Sequence, residues 1–227
     1  MPIPPPRAAA TARILLETRS VLFRPDAPFT FTSGRISPVY VDCRRLISFP
    51  RARSALMRMA ADLLAQDAGV EAFDRVAGGE TAGIPFAAWM ADRLALPMAY
   101  VRKKPKGFGR DARIEGIVEA GDRVLLVEDL ATDGGSKLNF VNALRSAGAE
   151  VAHCFVVFHY GIFPQAVDDL AAEGVRLHAL ATWADVVDVA DQAGAFTADQ
   201  AASIRAFLSD PDGWAANRAT SPSPPPA

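Results

Sequence analysis

From residue 73 onward, short apolar runs alternate with amphipathic stretches along the chain. The runs have the length and composition of strands buried on both faces, and the stretches between them show helical spacing. This alternation predicts an α/β fold with a central parallel sheet, flanked by helices and joined by right-handed crossovers. The predicted strands are residues 75–77, 98–101, 123–127, 151–158 and 175–180, and the predicted helices are residues 84–94, 137–147 and 164–172.

The first 50 residues fall outside this alternation. Residues 11–22 have helical spacing, and the β-rich runs 29–31 and 39–41 predict a hairpin that turns at Gly34. We expect this helix and hairpin to form a small hood over the carboxyl edge of the sheet. A helix beginning at Pro50 then leads into the alternating series.

The ends of the chain differ in composition from its middle. Prolines crowd the first ten residues, and residues 219–227 are rich in proline and serine. Thr197 with Gln200 predicts a capping box before a last helix through Leu208. The sequence therefore predicts a flexible N-terminus (1–12), a single domain (13–210, with 13–50 as the hood) and a C-terminal tail (211–227).

Composition and charge exclude several classes of function. A chain of 227 residues that is 50% apolar can bury a substantial core, and its net charge of −2 gives no general attraction to nucleic acid or anionic membranes. No apolar run approaches the roughly 18 residues of a membrane span. Cys43 and Cys154 lack metal-ligand spacing, which suits a reducing compartment. We therefore expect a cytoplasmic protein without nucleic-acid or membrane partners.

The strongest candidate for a functional site follows the strand predicted at 123–127. Glu128 and Asp129 come first, then a small-residue turn at 132–136, then a predicted helix. Ligands bind at the carboxyl ends of strands in open α/β sheets, and a small-residue turn before a helix presents backbone N–H groups to a phosphate. The two acids suit sugar hydroxyls or a cation. A ribose phosphate would satisfy both halves of the motif, whereas an ordinary exposed loop would not require this order.

A second small-residue turn, residues 78–83, follows the strand predicted at 75–77. Its backbone amides can hold a pyrophosphate, although a tight strand–helix connection explains the pattern equally well. Because both turns follow strands of one sheet, we expect them to lie close together.

A cluster of cations follows the strand predicted at 98–101. Arg102, Lys103, Lys104 and Lys106 precede two glycines, which predicts a mobile arm that closes over a highly charged anion. The alternative is a solvated loop. No aromatic platform or wider basic face supports nucleic-acid binding.

The three histidines fall into two groups. His153 and His178 lie in apolar strands and are expected to belong to the core. His159 follows the last apolar residue of its strand, so it alone is predicted at the ligand edge.

Together these segments resemble the orotate phosphoribosyltransferases, a branch of the type I phosphoribosyltransferases, over residues 20–185. The run 124–136 is similar to the type I signature that binds 5-phosphoribosyl 1-diphosphate (PRPP), which purine and uracil relatives share. Three further segments narrow the resemblance to the orotate branch. They are residues 31–40, residues 79–85, and residues 101–109 followed by 114–116.

The resemblance implies an activity, a cofactor and an assembly. The reaction joins orotate to PRPP and gives orotidine 5′-monophosphate and diphosphate, a step of pyrimidine synthesis that requires Mg²⁺. The ion is held mainly by PRPP, near Glu128 and Asp129, and no side chain is assigned as its ligand. The basic loop reaches into a neighbouring subunit, so the resemblance also implies a homodimer with shared sites.

The resemblance also implies the site residues. The residues assigned to catalysis are Lys103, Lys106 and Asp129. The residues assigned to orotate are Phe31, Arg35, Thr132 and Tyr160. The residues assigned to PRPP are Thr81, Arg102, Lys103, Lys106, Glu128, Asp129, Leu130, Ala131, Thr132, Asp133, Gly134, Gly135 and Ser136.

The chain departs from the family pattern in four places. Many members have Lys where Ile36 stands, Tyr-Lys at Thr81-Ala82, His at Phe108, and an orotate-binding Arg near Tyr160. Phe108 removes a donor to the diphosphate. The positive charge for the orotate carboxylate then has to come from Arg35 or His159, and the sequence leaves both open.

Two other functions remain compatible with the sequence. One is a phosphoribosyltransferase for a different base, and the other is a non-catalytic regulator that senses PRPP. Lys103 and Lys106 favour an enzyme, because a sensor needs no clamp for a leaving group. The missing His and Arg favour the regulator.

Overall fold

The protein is described here by a computed structural model that covers residues 5–30, 36–105, 113–132, 135–162 and 165–219. The described residues divide into two compact units, one from Met1–Asp42 with Trp183–Ala227 and one from Cys43–Thr182. Residues 13–210, which the sequence predicts to form a single domain, include parts of both units. That they form a single domain stays a prediction. Within the described part of the chain, no helix has the length and apolar content needed to cross a membrane.

The elements follow one another along the chain without internal repeats. In order they are α1 (Pro6–Glu17), β1 (Val21–Phe23), β2 (Phe29–Thr30), β3 (Ile36–Ser37), β4 (Val39–Val41), a 3-10 helix (Cys43–Ser48), α2 (Pro50–Asp67), β5 (Arg75–Gly79), α3 (Gly83–Leu94), β6 (Met98–Val101), β7 (Ile114–Glu115), β8 (Arg123–Ala131), α4 (Gly135–Ser146), β9 (Glu150–His159), α5 (Gln165–Ala172), β10 (Arg176–Thr182), α6 (Trp183–Gln192), α7 (Ala198–Ser209) and α8 (Pro211–Ala219).

The unit Cys43–Thr182 is built on a six-stranded sheet with the order β10-β9-β8-β5-β6-β7. Its strand pairs are parallel except for β6 with β7, which is antiparallel. Helices α2 and α3 pack against each other, α4 and α5 do the same, and all four contact the sheet. The predicted α/β fold with a central, mostly parallel sheet is therefore confirmed.

The order of the strands reverses between β5 and β8. The chain passes from β5 to β6 on one side of β5, and then returns to place β8 and β9 on the other side. Ligands of open α/β sheets bind outside the carboxyl ends of the strands at such a switch point. Both predicted small-residue turns follow these two strands, so the topology brings them to one place.

Helix α4 packs its apolar stripe onto the strands that form this switch point. Phe140, Val141 and Leu144 are fully buried and form a core cluster with Leu126 of β8 and Cys154 of β9. Their spacing of three and four residues places them on one side of the helix. This packing fixes α4 against β8 and β9, next to the turn that joins β8 to α4.

The other unit combines both ends of the chain. Strand β1 pairs with β4 and β2 pairs with β3, both antiparallel, and α1 packs against α6. The Phe23 ring meets the rings of Trp183 and Phe196 edge to face, at centroid distances of 5.9 and 4.7 Å. The capping box of Thr197 and Gln200 is confirmed. That this unit forms a hood over the sheet stays a prediction.

Two predictions about its N-terminal part are wrong. Helix α1 begins at Pro6, because proline fits the first turn of a helix, so residues 6–12 are not a flexible terminus. Residues 39–41 pair with β1 rather than with the predicted partner run, of which the described residues Phe29 and Thr30 pair with β3. A bridge of two residues carries too little pattern to be read from sequence.

The predicted C-terminal tail is also wrong in its first part, because residues 211–219 form α8. Pro211 occupies the first turn, and the Gly213 backbone N–H donates to Asp210 Oδ1 at 2.9 Å. The buried Trp214 ring lies edge to face with Phe207, 5.4 Å between centroids. Residues 220–227 lie outside the described residues.

His153 and His178 form a chain of hydrogen bonds with the end of α2. His178 Nδ1 lies 3.2 Å from Asp67 Oδ2, and His153 Nδ1 lies 2.9 Å from His178 Nε2. Because the carboxylate only accepts, His178 donates to Asp67 through Nδ1 and accepts from His153 at Nε2. The core position predicted for His178 is confirmed, whereas His153 is half-buried.

We expect this chain of histidines to make stability fall with acid. Burial lowers the pKa of both rings below the usual value of 6.5. The folded state then binds fewer protons than the unfolded state below about pH 6.5, so the free energy of unfolding decreases as pH falls through that range. Solvent screens the half-buried His153, so we expect a loss on the order of 1 kcal/mol at pH 5.5, or about 2–4 °C in Tm.

Thermal unfolding between pH 7.5 and 5.5 checks this expectation. A His153→Gln/His178→Gln variant provides the control, since it keeps polar side chains and removes both titrating rings. The difference in Tm between the two proteins isolates these rings from His159 and the carboxyl groups. An equal acid dependence in both proteins would contradict the expectation.

Candidate active site

The acid pair lies inside strand β8 rather than after it. The predicted strand ended at residue 127, but β8 continues to pair with β9 through Ala131. Glu128 and Asp129 are consequently buried, with 7% and 8% of their surface exposed. Adjacent residues of a strand point to opposite faces of the sheet. The two carboxyl groups therefore lie on opposite faces of the sheet, near the carboxyl end of β8.

The turn after β5 makes room for the Glu128 carboxyl group. A Cβ atom at Gly79 would overlap Glu128 Oε1 and the Phe140 ring, and one at Gly83 would overlap the same oxygen and the Val127 carbonyl. The two glycines are thus required by close approach of the carboxylate. The sequence predicted a small-residue turn at residues 78–83. It did not show that Gly79 and Gly83 leave room for the Glu128 carboxyl group.

Burial has the largest effect on the pKa values of Glu128 and Asp129. Desolvation raises the pKa of Glu128 to about 8 and raises the pKa of Asp129, while the positive charge of Lys137 opposes both shifts. Arg44, from the 3-10 helix, also favours the charged form of Asp129. Glu128 Oε1 is buried and has no hydrogen-bond partner among the described residues. Such an oxygen is suited to accept hydrogen bonds from ligand hydroxyl groups.

The predicted phosphate turn joins the end of β8 to α4. Leu130 and Ala131 complete the strand, Thr132 follows it half-buried, and α4 begins at Gly135 with Ser136 exposed in its first turn. Helix starts carry free backbone N–H groups and partial positive charge, which favour a phosphate. Asp133 and Gly134 lie outside the described residues.

The start of the basic loop is held against the second turn. The Glu80 backbone N–H donates to the Val101 carbonyl, and the Lys103 backbone N–H donates to Glu80 Oε2, both at 2.8 Å. Lys103 therefore lies beside the turn that contains the exposed Thr81. The Arg102 guanidinium lies 3.6 Å from a Glu115 carboxylate oxygen. Lys106 and Phe108 lie outside the described residues.

Arg113 joins the two ends of this loop, a role the sequence did not suggest. The Arg102 backbone N–H donates to the Arg113 carbonyl at 2.6 Å. The Arg113 guanidinium donates to the carbonyls of Arg102 and Lys103, and at 3.5 Å to that of Asn139 in α4. Together with the pairing of β6 and β7, these bonds tie the loop's base to the helix that follows the phosphate turn.

Part of the predicted base-binding end is also present at this edge. The Tyr160 backbone N–H donates to the Ala131 carbonyl at 2.9 Å, which places Tyr160 next to Thr132. His159 Nε2 is buried without a partner among the described residues. Desolvation, helped by the charge of Lys137, lowers the pKa of His159, so the ring is a neutral hydrogen-bonding group near pH 7. Phe31 and Arg35 lie outside the described residues.

Lys137 is the residue of this site that sequence reasoning missed. Only 5% of its surface is exposed. The signal was present in the spacing, because residue 137 precedes Phe140, Val141 and Leu144 by three, four and seven positions and so falls on the buried stripe of α4. A lysine on such a stripe marks a place where a charge is needed or compensated.

The described side chains do not form a metal site of their own. No group of three His, Cys, Asp or Glu residues among them is arranged to hold a metal ion. The acid pair offers carboxylate oxygens at the ligand edge, which suits an ion that brings most of its oxygen ligands with the substrate.

Comparison with known proteins agrees with this geometry. The family model described as "Phosphoribosyl transferase domain" matches residues 48–177. An orotate phosphoribosyltransferase of Cereibacter sphaeroides (strain ATCC 17029 / ATH 2.4.9) is 61% identical over 213 residues, which cover 92% of each chain.

Solved structures give the same result. The crystal structure of an orotate phosphoribosyltransferase from Aeropyrum pernix has a TM-score of 0.69 and 34% identity, covering 82% of this chain and 99% of that one. The Mycobacterium tuberculosis H37Rv enzyme, solved in complex with PRPP, has a TM-score of 0.61 and 29% identity, covering 80% and 99%. The chain therefore belongs to the orotate phosphoribosyltransferase branch of the phosphoribosyltransferase family.

Proposed function

We propose that this chain transfers the phosphoribosyl group of PRPP to orotate, giving orotidine 5′-monophosphate and diphosphate in pyrimidine synthesis. The observation that carries the proposal is the arrangement at the switch point, where a buried acid pair, a small-residue turn and a helix start meet. A sugar phosphate needs hydroxyl acceptors beside a phosphate cradle, and this edge provides both. The relatives named above carry the same activity in their names.

The ribose phosphate end of PRPP occupies the signature turn. Glu128 and Asp129 accept hydrogen bonds from ribose hydroxyls, and backbone N–H groups between Leu130 and Ser136 surround the 5′-phosphate. Because the acids are buried and held by strand pairing, little reorganisation is needed when the ribose binds.

The leaving group is neutralised from the second turn. As the bond between C1 and the diphosphate oxygen breaks, the diphosphate leaves with the bonding electron pair and gains negative charge. A bond forms from C1 to the orotate ring nitrogen, which gives up its proton to the solvent or to the departing diphosphate. Lys103 lies beside the turn at Thr81, and in this proposal it stabilises the charge on the diphosphate together with Arg102 and Lys106. Mg²⁺, held mainly by PRPP, is the inferred cofactor and supplies further positive charge at the diphosphate.

In this proposal, the orotate base is bound by residues at the small-residue turn 132–136 and by residues of the hood. Thr132 and Tyr160 lie side by side, and His159 offers a neutral N–H at the same edge. Since burial disfavours a charged His159, we infer that Arg35 provides the positive charge for the orotate carboxylate. Phe31 completes the base site in this proposal.

The proposal also includes the oligomeric state and the cellular location of the protein. We infer a homodimer in which the basic loop of one subunit serves the site of its partner, as the resemblance implies. A cytoplasmic location remains an inference from composition.

A spectroscopic assay tests the activity. Orotate absorbance is expected to fall when PRPP and Mg²⁺ are added to the purified protein. No consumption at high protein concentration would contradict orotate as the substrate, and runs with other bases would reveal a different acceptor. Bound PRPP without transfer to any base would identify a sensor.

In the same assay, Arg35→Ala is expected to raise the KM for orotate about tenfold or more. An unchanged KM would remove Arg35 from the base site.

A further inference from the structure

A buried lysine stands at the start of α4, next to the phosphate turn. Lys137 lies on the same side of the helix as Phe140 and Leu144, which pack onto the sheet. The only hydrogen bond of its ammonium group among the described residues is to Ser136 Oγ, at 3.3 Å. Lysine is almost never this buried unless a charge compensates it. The apolar packing of α4 therefore does not explain its presence.

The charges around Lys137 identify what compensates it. Lys137 provides the largest effect that favours the charged forms of Glu128 and of Asp129, and its charge also lowers the pKa of His159. The geometry agrees for Glu128: Lys137 lies one helical turn before Phe140 on the buried side of α4, and the Phe140 ring and Glu128 Oε1 both border the position of a Cβ at Gly79. No close ion pair with Lys137 is present among the described side chains, so one bond to Ser136 leaves donors available.

The carboxyl group of Glu128 also has one oxygen without a hydrogen-bond partner among the described residues. This oxygen, Oε1, is buried against Gly79 and Gly83. A carboxylate in such a cradle would take up a proton or turn away if no cation stood nearby. Burial raises the pKa of Glu128 to about 8, so its carboxyl group is charged only above that pH. Above that pH, Glu128 Oε1 and the Lys137 ammonium group are two incompletely paired, opposite charges near the proposed ribose site.

We propose that Lys137 is a positioning residue for the ribose end of PRPP, and that its ammonium group supplies the counter-charge that holds the Glu128 carboxylate toward the ribose hydroxyls. This inference rests on the proposed function for the identity of the ligand. It assigns Lys137 an action through Glu128 and not through contact with the reacting atoms. A charged acceptor forms hydrogen bonds about twice as strong as a neutral one, so loss of the lysine weakens PRPP binding.

A double-mutant cycle separates this role from a purely structural one. The proteins are wild type, Lys137→Met, Glu128→Gln and the double variant, with PRPP dissociation constants measured by calorimetry. These constants and the melting temperatures below are measured at about pH 9, where Glu128, with its pKa raised to about 8, is charged. Lys137→Met is expected to raise Kd about tenfold when Glu128 is present and less than about threefold when residue 128 is Gln. Lys137→Arg keeps the charge and is expected to stay within about threefold of wild type. Lys137→Gln, which retains a polar end for Ser136, replaces the Met variant if that protein does not fold.

Melting temperatures of the four unliganded proteins give a second readout that needs no ligand. Glu128→Gln is expected to lower Tm when Lys137 is present, because it leaves a buried ammonium group unpaired, and to raise Tm in the Lys137→Met background. Equal effects of Lys137→Met in both backgrounds, on Kd and on Tm, would overturn the proposal. Failure of the wild type to bind PRPP would instead overturn the proposed function, while the Tm cycle would still decide whether Lys137 and Glu128 act together.

Discussion

Replacing Lys103 with alanine is expected to lower kcat for orotidine 5′-monophosphate formation by about 10²–10³, which corresponds to about 3–4 kcal/mol of lost transition-state stabilisation. The backbone of Lys103 is held by Glu80, so its side chain starts from a fixed point beside the second turn. In the proposed reaction, its charge interacts more strongly with the diphosphate as further negative charge develops there. The loss should therefore appear in kcat more than in the KM for PRPP.

The neighbouring Lys104 provides a matched control. It is also exposed and carries the same charge, but the Glu80 bond does not fix its backbone. Lys104→Ala is expected to reduce kcat far less than Lys103→Ala, in steady-state assays at saturating orotate and PRPP. Equal losses in the two variants would mean that the general charge of the loop matters and that the position of Lys103 does not.

Replacing Gly79 with alanine is expected to damage both folding and PRPP binding. The added methyl group would overlap the Glu128 carboxylate and the Phe140 ring at the centre of the switch point. Overpacking of this kind costs about 1–3 kcal/mol or more, and displacement of Glu128 should raise the KM for PRPP about tenfold or more. Thermal unfolding and steady-state kinetics measure the two effects.

Gly174 offers the control for this substitution. It has a φ of +68°, and no described atom lies within 4 Å of the position that a Cβ would take there, so Gly174→Asn introduces a side chain that tolerates this backbone. We expect Gly174→Asn to bind PRPP normally and to lose little stability. A Gly79→Ala protein with wild-type Tm and KM would show that the cradle around Glu128 can expand without cost.

The strands and most helices of the sheet could be predicted because their patterns are local. Met98–Val101 has the predicted bounds, and α2 begins at the predicted Pro50. Helix α6 was missed although its buried residues Trp183, Val186, Val187 and Ala190 have helical spacing. Strand β7 was missed because its two residues carry no periodicity, and only pairing with β6 makes them a strand.

The predicted order of strand, acid pair, turn and helix is present, whereas the surroundings of the acid pair were not predicted. The sequence placed the acids after the strand, because an apolar run interrupted by two carboxylates usually marks the end of burial. The structure continues β8 through them, since Gly79, Gly83 and Lys137 provide the space and the opposing charge. None of these three residues could be connected with Glu128 from spacing alone.

By itself, the sequence determined the order of strand, acid pair, small-residue turn and helix in a parallel α/β sheet, and it predicted a ribose phosphate site there. Only the tertiary structure decided that Glu128 is buried, that Gly79 and Gly83 leave room for its carboxyl group, and that the charge of Lys137 favours its charged form. The physical reason is that periodicity and turn chemistry depend on neighbouring residues along the chain. Burial and electrostatics depend on residues that strand pairing and helix packing bring together from distant parts of it.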